Sequence, residues 1–258
     1  MAMMTVTCSN QNVLILHGLG GTTETMRPLA HALDVHGFSA HTVTLAEADR
    51  ARVKSGGALS HIGLNDLLAE ARTKALHLAE CAQDKPPIIC GHSNGALLGL
   101  ALAGEGLASH LVLLAPAPPP SIASGTPRWL QKLFFRLSLG RNWRTGIVRF
   151  DEPHRMDPDP PTDEIRQSLL PDSGRVLAEA MDLTPGNKFD PAPPLQCSCT
   201  VIAGGQDRIV PMKAARAIAE RYSADFHLFQ NGGHWFPAEA KYSEQIAEII
   251  ASHARVSD

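Results

Sequence analysis

Short apolar runs alternate with longer stretches of helical spacing along this chain, and no other feature limits its possible folds as strongly. The run "NVLIL" (12–16) precedes "TMRPLAHAL", where Met26, Leu29, Ala30 and Leu33 share a helical face and Gly37 supplies a stop. "AHTVTL" (40–45) reads as the next strand, and Leu64, Leu67, Leu68, Ala71, Ala75 and Leu78 give a long helix one apolar face. "PIIC" (87–90) and "HLVLLAP" (110–116) are two further strands, separated by "NGALLGLALAG", a helix of small residues able to pack closely on a sheet. "TVIAGG" (200–205), a helix near 211–222, "FHLF" (226–229) and a closing helix striped by Ile246, Ile249 and Ile250 complete the series. Such a series predicts the α/β class: a mainly parallel central sheet flanked by helices. Six strands are expected, or seven if "TVTC" (5–8) is one.

Between Pro118 and Pro194 the pattern breaks. The stretch opens with "PAPPPSIASGTP", closes with "DPAPPLQ", and is about twice as long as one crossover helix requires. It reads as a helical cap, residues 118–194, inserted over a core made of residues 1–117 and 195–258. With 258 residues, 44% of them hydrophobic, the chain has the material for that core.

One serine stands where strand gives way to helix, in Gly91-His92-Ser93-Asn94-Gly95. Glycines two residues to either side suit a turn too tight for side chains there, and such a turn exposes the serine Oγ at the sheet's edge. The helix that follows aims its N-terminal amides at the same place, which favours an anionic intermediate. A serine hydroxyl becomes a competent nucleophile when a base takes its proton and a carboxylate orients that base. "VIAGGQDRIVP" puts Asp207 just past one strand and "LFQNGGHWF" puts His234 just past the next, so both lie at the carboxyl edge with Ser93. "LILHGLGG" places His17-Gly18-Leu19-Gly20-Gly21 at that edge too, where glycines let backbone N–H groups approach a substrate oxygen.

These elements resemble the α/β-hydrolase superfamily over nearly the whole chain outside the insertion. The order Ser93, Asp207, His234 is similar to that family's order of nucleophile, acid and base, with Asn94 where Met or Gln is usual. The resemblance implies an oxyanion hole from the backbone N–H groups of Leu19 and Asn94, since Leu19 follows His17-Gly18 in an HG-x-G pattern. It implies a serine esterase acting on a small-molecule carboxylic ester through an acyl-enzyme, with no metal or organic cofactor. A thioesterase, a lysophospholipase or a carbon–carbon bond hydrolase shares the same triad, and a slow-turnover ligand-binding receptor shares the same fold.

Plainer readings compete at several positions. Asp207 also suits a cap for the helix at Pro211 or a partner for Arg208, and Asp182 and Asp190 are alternative acids within the insertion. His227 competes with His234, although it alternates with Phe226 and Leu228 inside a strand. His17 and His92 suit framework positions that hydrogen-bond loop backbone, and Cys90 suits a small hydrophobe in the sheet.

The five cysteines are odd in number and scattered, which fits reduced thiols, and the Cys197-x-Cys199 pair lacks a second zinc-like pair. A net charge of −3 makes nucleic acid an unfavourable partner. The N-terminus carries no basic signal region or membrane span, so the cytoplasm is the expected location, without stable membrane insertion.

Residues 128–149 carry six basic side chains (Arg128, Lys132, Arg136, Arg141, Arg144, Arg149) and no acidic one. They are interleaved with Trp129, Leu130, Leu133, Phe134, Leu137 and Trp143. The spacing predicts a cap helix with its apolar side on the cleft, Trp129, Leu133 and Phe134 binding the acyl chain, and its basic side in solvent. Contact of the basic side with a membrane surface or an anionic headgroup is the alternative. Residues 151–190 hold ten acidic residues against four basic, so the two halves of the insertion are also suited to pair.

Overall fold

The structure is a computed structural model that describes residues 11–122, 127–150 and 159–256. The expected strand at 5–8 lies outside the described residues.

The first half supplies β1 (Asn12–Leu16), α1 (Thr23–Val35), β2 (Ser39–Val43), α2 (Glu47–Ala51), α3 (Leu64–Cys81), β3 (Ile88–His92), α4 (Asn94–Gly104) and β4 (His110–Leu114). The connection that follows holds α5 (Arg128–Leu139), β5 (Ile147–Val148), α6 (Asp163–Gln167), β6 (Asp172–Ser173) and α7 (Gly174–Asp182). The chain then closes with β7 (Ser198–Gly204), α8 (Met212–Tyr222), β8 (Asp225–Phe229) and α9 (Ala240–Val256).

Six strands form one parallel sheet in the order β2-β1-β3-β4-β7-β8, while β5 and β6 make a separate antiparallel pair. The period of two along each strand sorts side chains between two cores. Val13 and Ile15 of β1, with Val112 and Leu114 of β4, face α1 and α9. Leu14 and Leu16, with Leu111 and Leu113, face α3, α4 and α8. Residues 95–103 of α4 are all buried, so this helix sits in the core on every side, as its small residues allow. In α1 the side chain of Thr22 caps the first turn, and the helix runs through Pro28.

Order reverses between β1 and β3: the chain leaves β1 for β2, then returns to the other side of β1. In sheets of this kind the crevice for a ligand opens at the carboxyl ends of the two strands that flank the reversal. The loop after β1 is His17–Gly21 and the residue after β3 is Ser93.

The β4–β7 connection has a small core of its own, in which Trp143, Val148, Leu177 and Ala178 are buried. Asp182 pairs with Lys132 at 2.6 Å and with Arg144, joining its basic and acidic halves. Buried Asp190 closes the connection by accepting from Ser121 N at 2.9 Å and Ser121 Oγ at 2.6 Å, with Arg221 of α8 at 3.3 Å. Among the described residues no helix is long and apolar enough to cross a membrane.

Candidate active site

Ser93 occupies the turn between β3 and α4 with φ 52° and ψ −119°, a backbone conformation that costs an L-residue on the order of 1–3 kcal/mol. The flanking glycines are required by contact. A Cβ at Gly95 would fall 2.2 Å from the carbonyl oxygen of Leu16, and one at Gly91 would fall 2.5 Å from that of Gly95. The turn is held from below, since Ser93 N donates to Leu114 O at 3.0 Å and Ala117 N donates to Ser93 O at 3.1 Å.

His234 lies in the loop after β8, and its Nε2 is 3.1 Å from Ser93 Oγ. Its Nδ1 is 2.9 Å from Asp207 Oδ2. A carboxylate only accepts, so Nδ1 carries the proton and Nε2 is left to accept from the serine hydroxyl. Asp207, in the loop after β7, is fixed by its other oxygen: Oδ1 accepts from Ile209 N and Val210 N, both at 2.8 Å. Asp207 does not cap α8, whose N-cap is Pro211 and which receives no side-chain cap; its Oδ1 instead closes the loop ahead of that helix and leaves Oδ2 for His234. The competing residues lie elsewhere. Asp182 and Asp190 are engaged as described above, and His227 sits within β8 opposite Ile202.

Both framework histidines hydrogen-bond loop backbone. Leu45 N donates to His17 Nε2 at 3.0 Å, so Nδ1 donates to Gly18 O at 2.7 Å. His92 Nε2 donates to the carbonyl of His234 at 3.0 Å. Burial, reinforced by Arg50, pushes the pKa of His17 down to about 4. Burial, reinforced by the His234 ring, pushes that of His92 down to about 3. Both rings are therefore neutral struts. Burial also pushes the Cys90 thiol up, which keeps it protonated within the sheet.

The loop after β1 lies directly against the Ser93 turn: a Cβ at Gly18 would meet Ser93 Cβ at 2.8 Å. Leu19 and Asn94 line one small cavity together with His17, Gly18 and Gly95. Among the described residues none accepts a hydrogen bond from the backbone N–H of Leu19 or of Asn94. A wider cleft, about 580 Å³, opens at the opposite end of the sheet beside Ser198 and Asp225, the first residues of β7 and β8, and has no part in this site.

Three side chains that local pattern did not single out hold these loops. Arg50 is fully buried and donates to the carbonyl oxygens of Gly21 at 2.8 Å and Pro171 at 2.9 Å. Its neighbour Asp172, at 3.8 Å, accepts from Gly20 N at 2.9 Å. Asp159 accepts from His234 N at 2.5 Å, and its backbone carbonyl accepts from Trp235 Nε1 at 3.2 Å.

Two of the three expected acyl-binding residues are turned outward. Trp129 and Leu133 of α5 face solvent, 68% and 42% exposed, and half-buried Phe134 stacks edge-on to Phe135. The physical reason is that Phe135 and Leu139, on the other side of α5, do the packing, against the small core that also touches Leu19. Phe150 takes the place next to the loop. A Cβ at Gly20 would strike it at 2.6 Å, and it packs both on the Trp143 core and on the cluster that contains Trp235.

The fold and this arrangement place the chain among the α/β hydrolases. The sequence model of the Alpha/beta hydrolase family matches residues 13–249, and the chain belongs to that family. A comparison with curated proteins finds no match. Among solved structures the chain is similar to a monoacylglycerol lipase from Paleococcus ferrophilus, with TM-score 0.63, 18% identity and 94% of each chain covered. It is similar to a structure described with LipS and LipT, two metagenome-derived lipolytic enzymes, with TM-score 0.65, 17% identity and 95% and 93% covered. A structure reported with carboxylesterases of Nitrososphaera gargenis is similar at TM-score 0.64 and 16% identity, with 96% and 91% covered. At these identities the likeness is one of fold; the family carries the inference of hydrolase activity.

Proposed function

We propose that this chain is a serine hydrolase that cleaves a carboxylic ester through an acyl-enzyme. The reading rests on one observation, the unbroken run from Ser93 Oγ to His234 Nε2 at 3.1 Å and from His234 Nδ1 to Asp207 Oδ2 at 2.9 Å. Ser93 Oγ bonds to the ester carbonyl carbon while its proton passes to His234 Nε2. The carbonyl oxygen takes the negative charge, which the N–H groups of Leu19 and Asn94 stabilise. His234 then gives its proton to the leaving alkoxide as the C–O bond breaks, and the acyl group stays on Ser93. Water repeats the sequence, deprotonated by His234, and releases the acid and the free serine. Asp207 holds the imidazole in the tautomer that both halves need.

In this reading residues 118–194 are the cap, and Phe150 supplies the wall above Gly20. The partner is a small ester molecule. The similar structures described as lipases and carboxylesterases favour oxygen esters. The unpaired thiols of Cys81, Cys90, Cys197 and Cys199 fit the cytoplasm.

A fluorophosphonate probe tests the assignment. It should label wild-type protein at Ser93 only, and Ser93→Ala should lose both labelling and turnover. Asp207→Asn should lower kcat by ~10³ to 10⁴. A matched panel of esters and thioesters identifies the preferred leaving atom. Labelling that persists in Ser93→Ala would end the proposal.

A further inference from the structure

Apart from Val35 and Leu76, every large apolar side chain left exposed among the described residues lies in two segments, residues 129–147 and 209–212. The first follows the carboxyl end of β4 and packs through Phe135 and Leu139 on the core that touches Leu19. The second follows the carboxyl end of β7, directly after Asp207. Exposed apolar surface is thus gathered at the end of the sheet that holds Ser93. Its centre is α5, where Trp129, Leu133 and Leu137 recur at i, i+4 and i+8, with Leu130 beside them. Trp129 is 68% and Leu137 60% exposed. A stripe of this kind facing outward on a helix needs an occupant.

The charges around the stripe say which occupant. Lys132, paired with Asp182, and Arg136 form the adjoining row of α5, and exposed Arg141 follows the helix's carboxyl end; Arg208 and Lys213 are likewise exposed, in the loop after β7 and at the start of α8. Residues 127–150 and 207–213 contain one carboxylate, the buried Asp207. Among the described residues no carboxylate pairs with Arg136 or Arg141. Two copies of the chain apposed through this face would set cation against cation. At 12 residues α5 is far too short to span a bilayer. An apolar stripe with Trp and Leu, flanked by Lys and Arg, is the composition of a helix that lies in the plane of a lipid surface.

We propose that this face docks reversibly on an anionic lipid surface. Trp129, Leu133 and Leu137 enter the acyl boundary, while Arg136 and Arg141 lie at the headgroups. The proposal rests on the ester-hydrolase reading only for its purpose, which is to set the mouth of the site against esters held in lipid.

Full-length protein is mixed with vesicles of phosphatidylcholine alone, or of equal parts phosphatidylcholine and phosphatidylglycerol, and followed by co-sedimentation and tryptophan emission. Trp143 and Trp235 are buried, so a blue shift reports Trp129. Binding to the anionic vesicles should be at least ~10-fold tighter than to neutral ones and should weaken with salt. The pairs Leu130→Glu/Leu137→Glu and Arg136→Glu/Arg141→Glu should each weaken it by ~10-fold or more, with hydrolysis of a soluble short-chain ester retained. Leu137→Ala, which keeps the helix intact, should shift affinity in the same direction. Ser93→Ala should bind as wild type does, which separates docking from the identity of the nucleophile. Failure of the wild type to bind anionic vesicles, or equal binding by the Leu130→Glu/Leu137→Glu variant, would overturn the proposal.

Discussion

The carboxylate of Asp159 accepts the backbone N–H of His234 at 2.5 Å, while the imidazole of the same histidine reaches Ser93. Through Oδ2 it also takes Arg208 N at 3.4 Å, so one side chain of the β4–β7 connection touches both loops that carry the proposed base and acid. In the proposed mechanism Asp159 is thereby a positioning residue, acting through the backbone of His234. A shift of about an ångström at such a site costs up to ~10² in rate. Asp159→Ala should therefore lower kcat by ~10 to 10² with little change in KM, and Asp159→Asn, which keeps an acceptor oxygen, should recover most of it. Burial raises the pKa of Asp159, with the neighbouring Asp207 carboxylate adding to it, against the pull of the two N–H groups. As pH falls through that raised value the carboxylate protonates and loosens its hold, so the acid limb of the kcat profile should be shallower in Asp159→Asn. A rate in Asp159→Ala equal to wild type would remove the role.

The nucleophile turn can be tested by its steric demands. A methyl group at Gly95 would collide at 2.2 Å with backbone, the carbonyl of Leu16, which has nowhere to go. One at Gly99, a turn further along α4, would meet only side-chain tips, Leu111 at 3.0 Å and Ile89 at 3.4 Å. Gly95→Ala should destabilise the protein by ~3 kcal/mol or more, measured by urea unfolding. Gly99→Ala should stay within ~1 kcal/mol, because helix propensity gained offsets a small repacking. Equal losses in the two variants would mean that the turn is not held as described.

The contrast between these features and the others shows where sequence is informative. Every described strand of the main sheet lies within about two residues of an apolar run, and the mark is clearest in the inner strands β1, β3, β4 and β7, which are buried on both faces. Ser93, Asp207 and His234 stand out in the sequence because each follows a strand, and a parallel sheet brings all such positions to one edge. Asp159 left no mark: it is one acid in an acidic, proline-containing stretch, and its partners are 49 and 75 residues away. Arg50 reads as part of a surface charge run, "EADRARVK", yet its partners are backbone carbonyls, which no sequence pattern displays. The orientation of α5 failed for another reason. Spacing defines an apolar stripe, but Phe135 and Leu139 also form one, and Trp143, a residue beyond the helix, decides which is covered.

Arg50 carries its own prediction. Its guanidinium serves at least three carbonyl oxygens and faces Asp172, all within the protein, so removing it strands a buried carboxylate and several acceptors. Arg50→Met should cost about 3–5 kcal/mol of stability. Because Asp172 in turn holds Gly20 N, Arg50→Met and Asp172→Asn together should cost clearly less than the sum of the two. Additive losses in that double-mutant cycle would show that the two side chains act separately.

The buried histidines predict how the fold fails in acid. Burial pushes His17 and His110 down to about 4 and His92 to about 3, from an ordinary value of 6.5, with neighbouring Arg50, His253 and His234 respectively adding to it. The unfolded chain therefore takes up three protons near pH 6.5 that the folded chain refuses until about pH 4 at His17 and His110 and about pH 3 at His92. Stability contributed by these groups is level above 6.5 and falls as pH drops through that window, by about 1.4 kcal/mol per pH unit for each ring. His110 is the one to test, because it lies away from the site, bonded to Ser198 Oγ at 2.7 Å and Thr200 Oγ1 at 3.1 Å and stacked on His253 at 4.4 Å. His110→Gln keeps a group able to bond both hydroxyls and has no proton to gain. Urea unfolding at about pH 7.5 and about pH 5 should show the variant losing ~1.4 kcal/mol less per pH unit than the wild type over the acid window. An unchanged slope in His110→Gln would mean that this imidazole is protonated in the folded protein at those pH values, and that its burial is not what sets the acid limit.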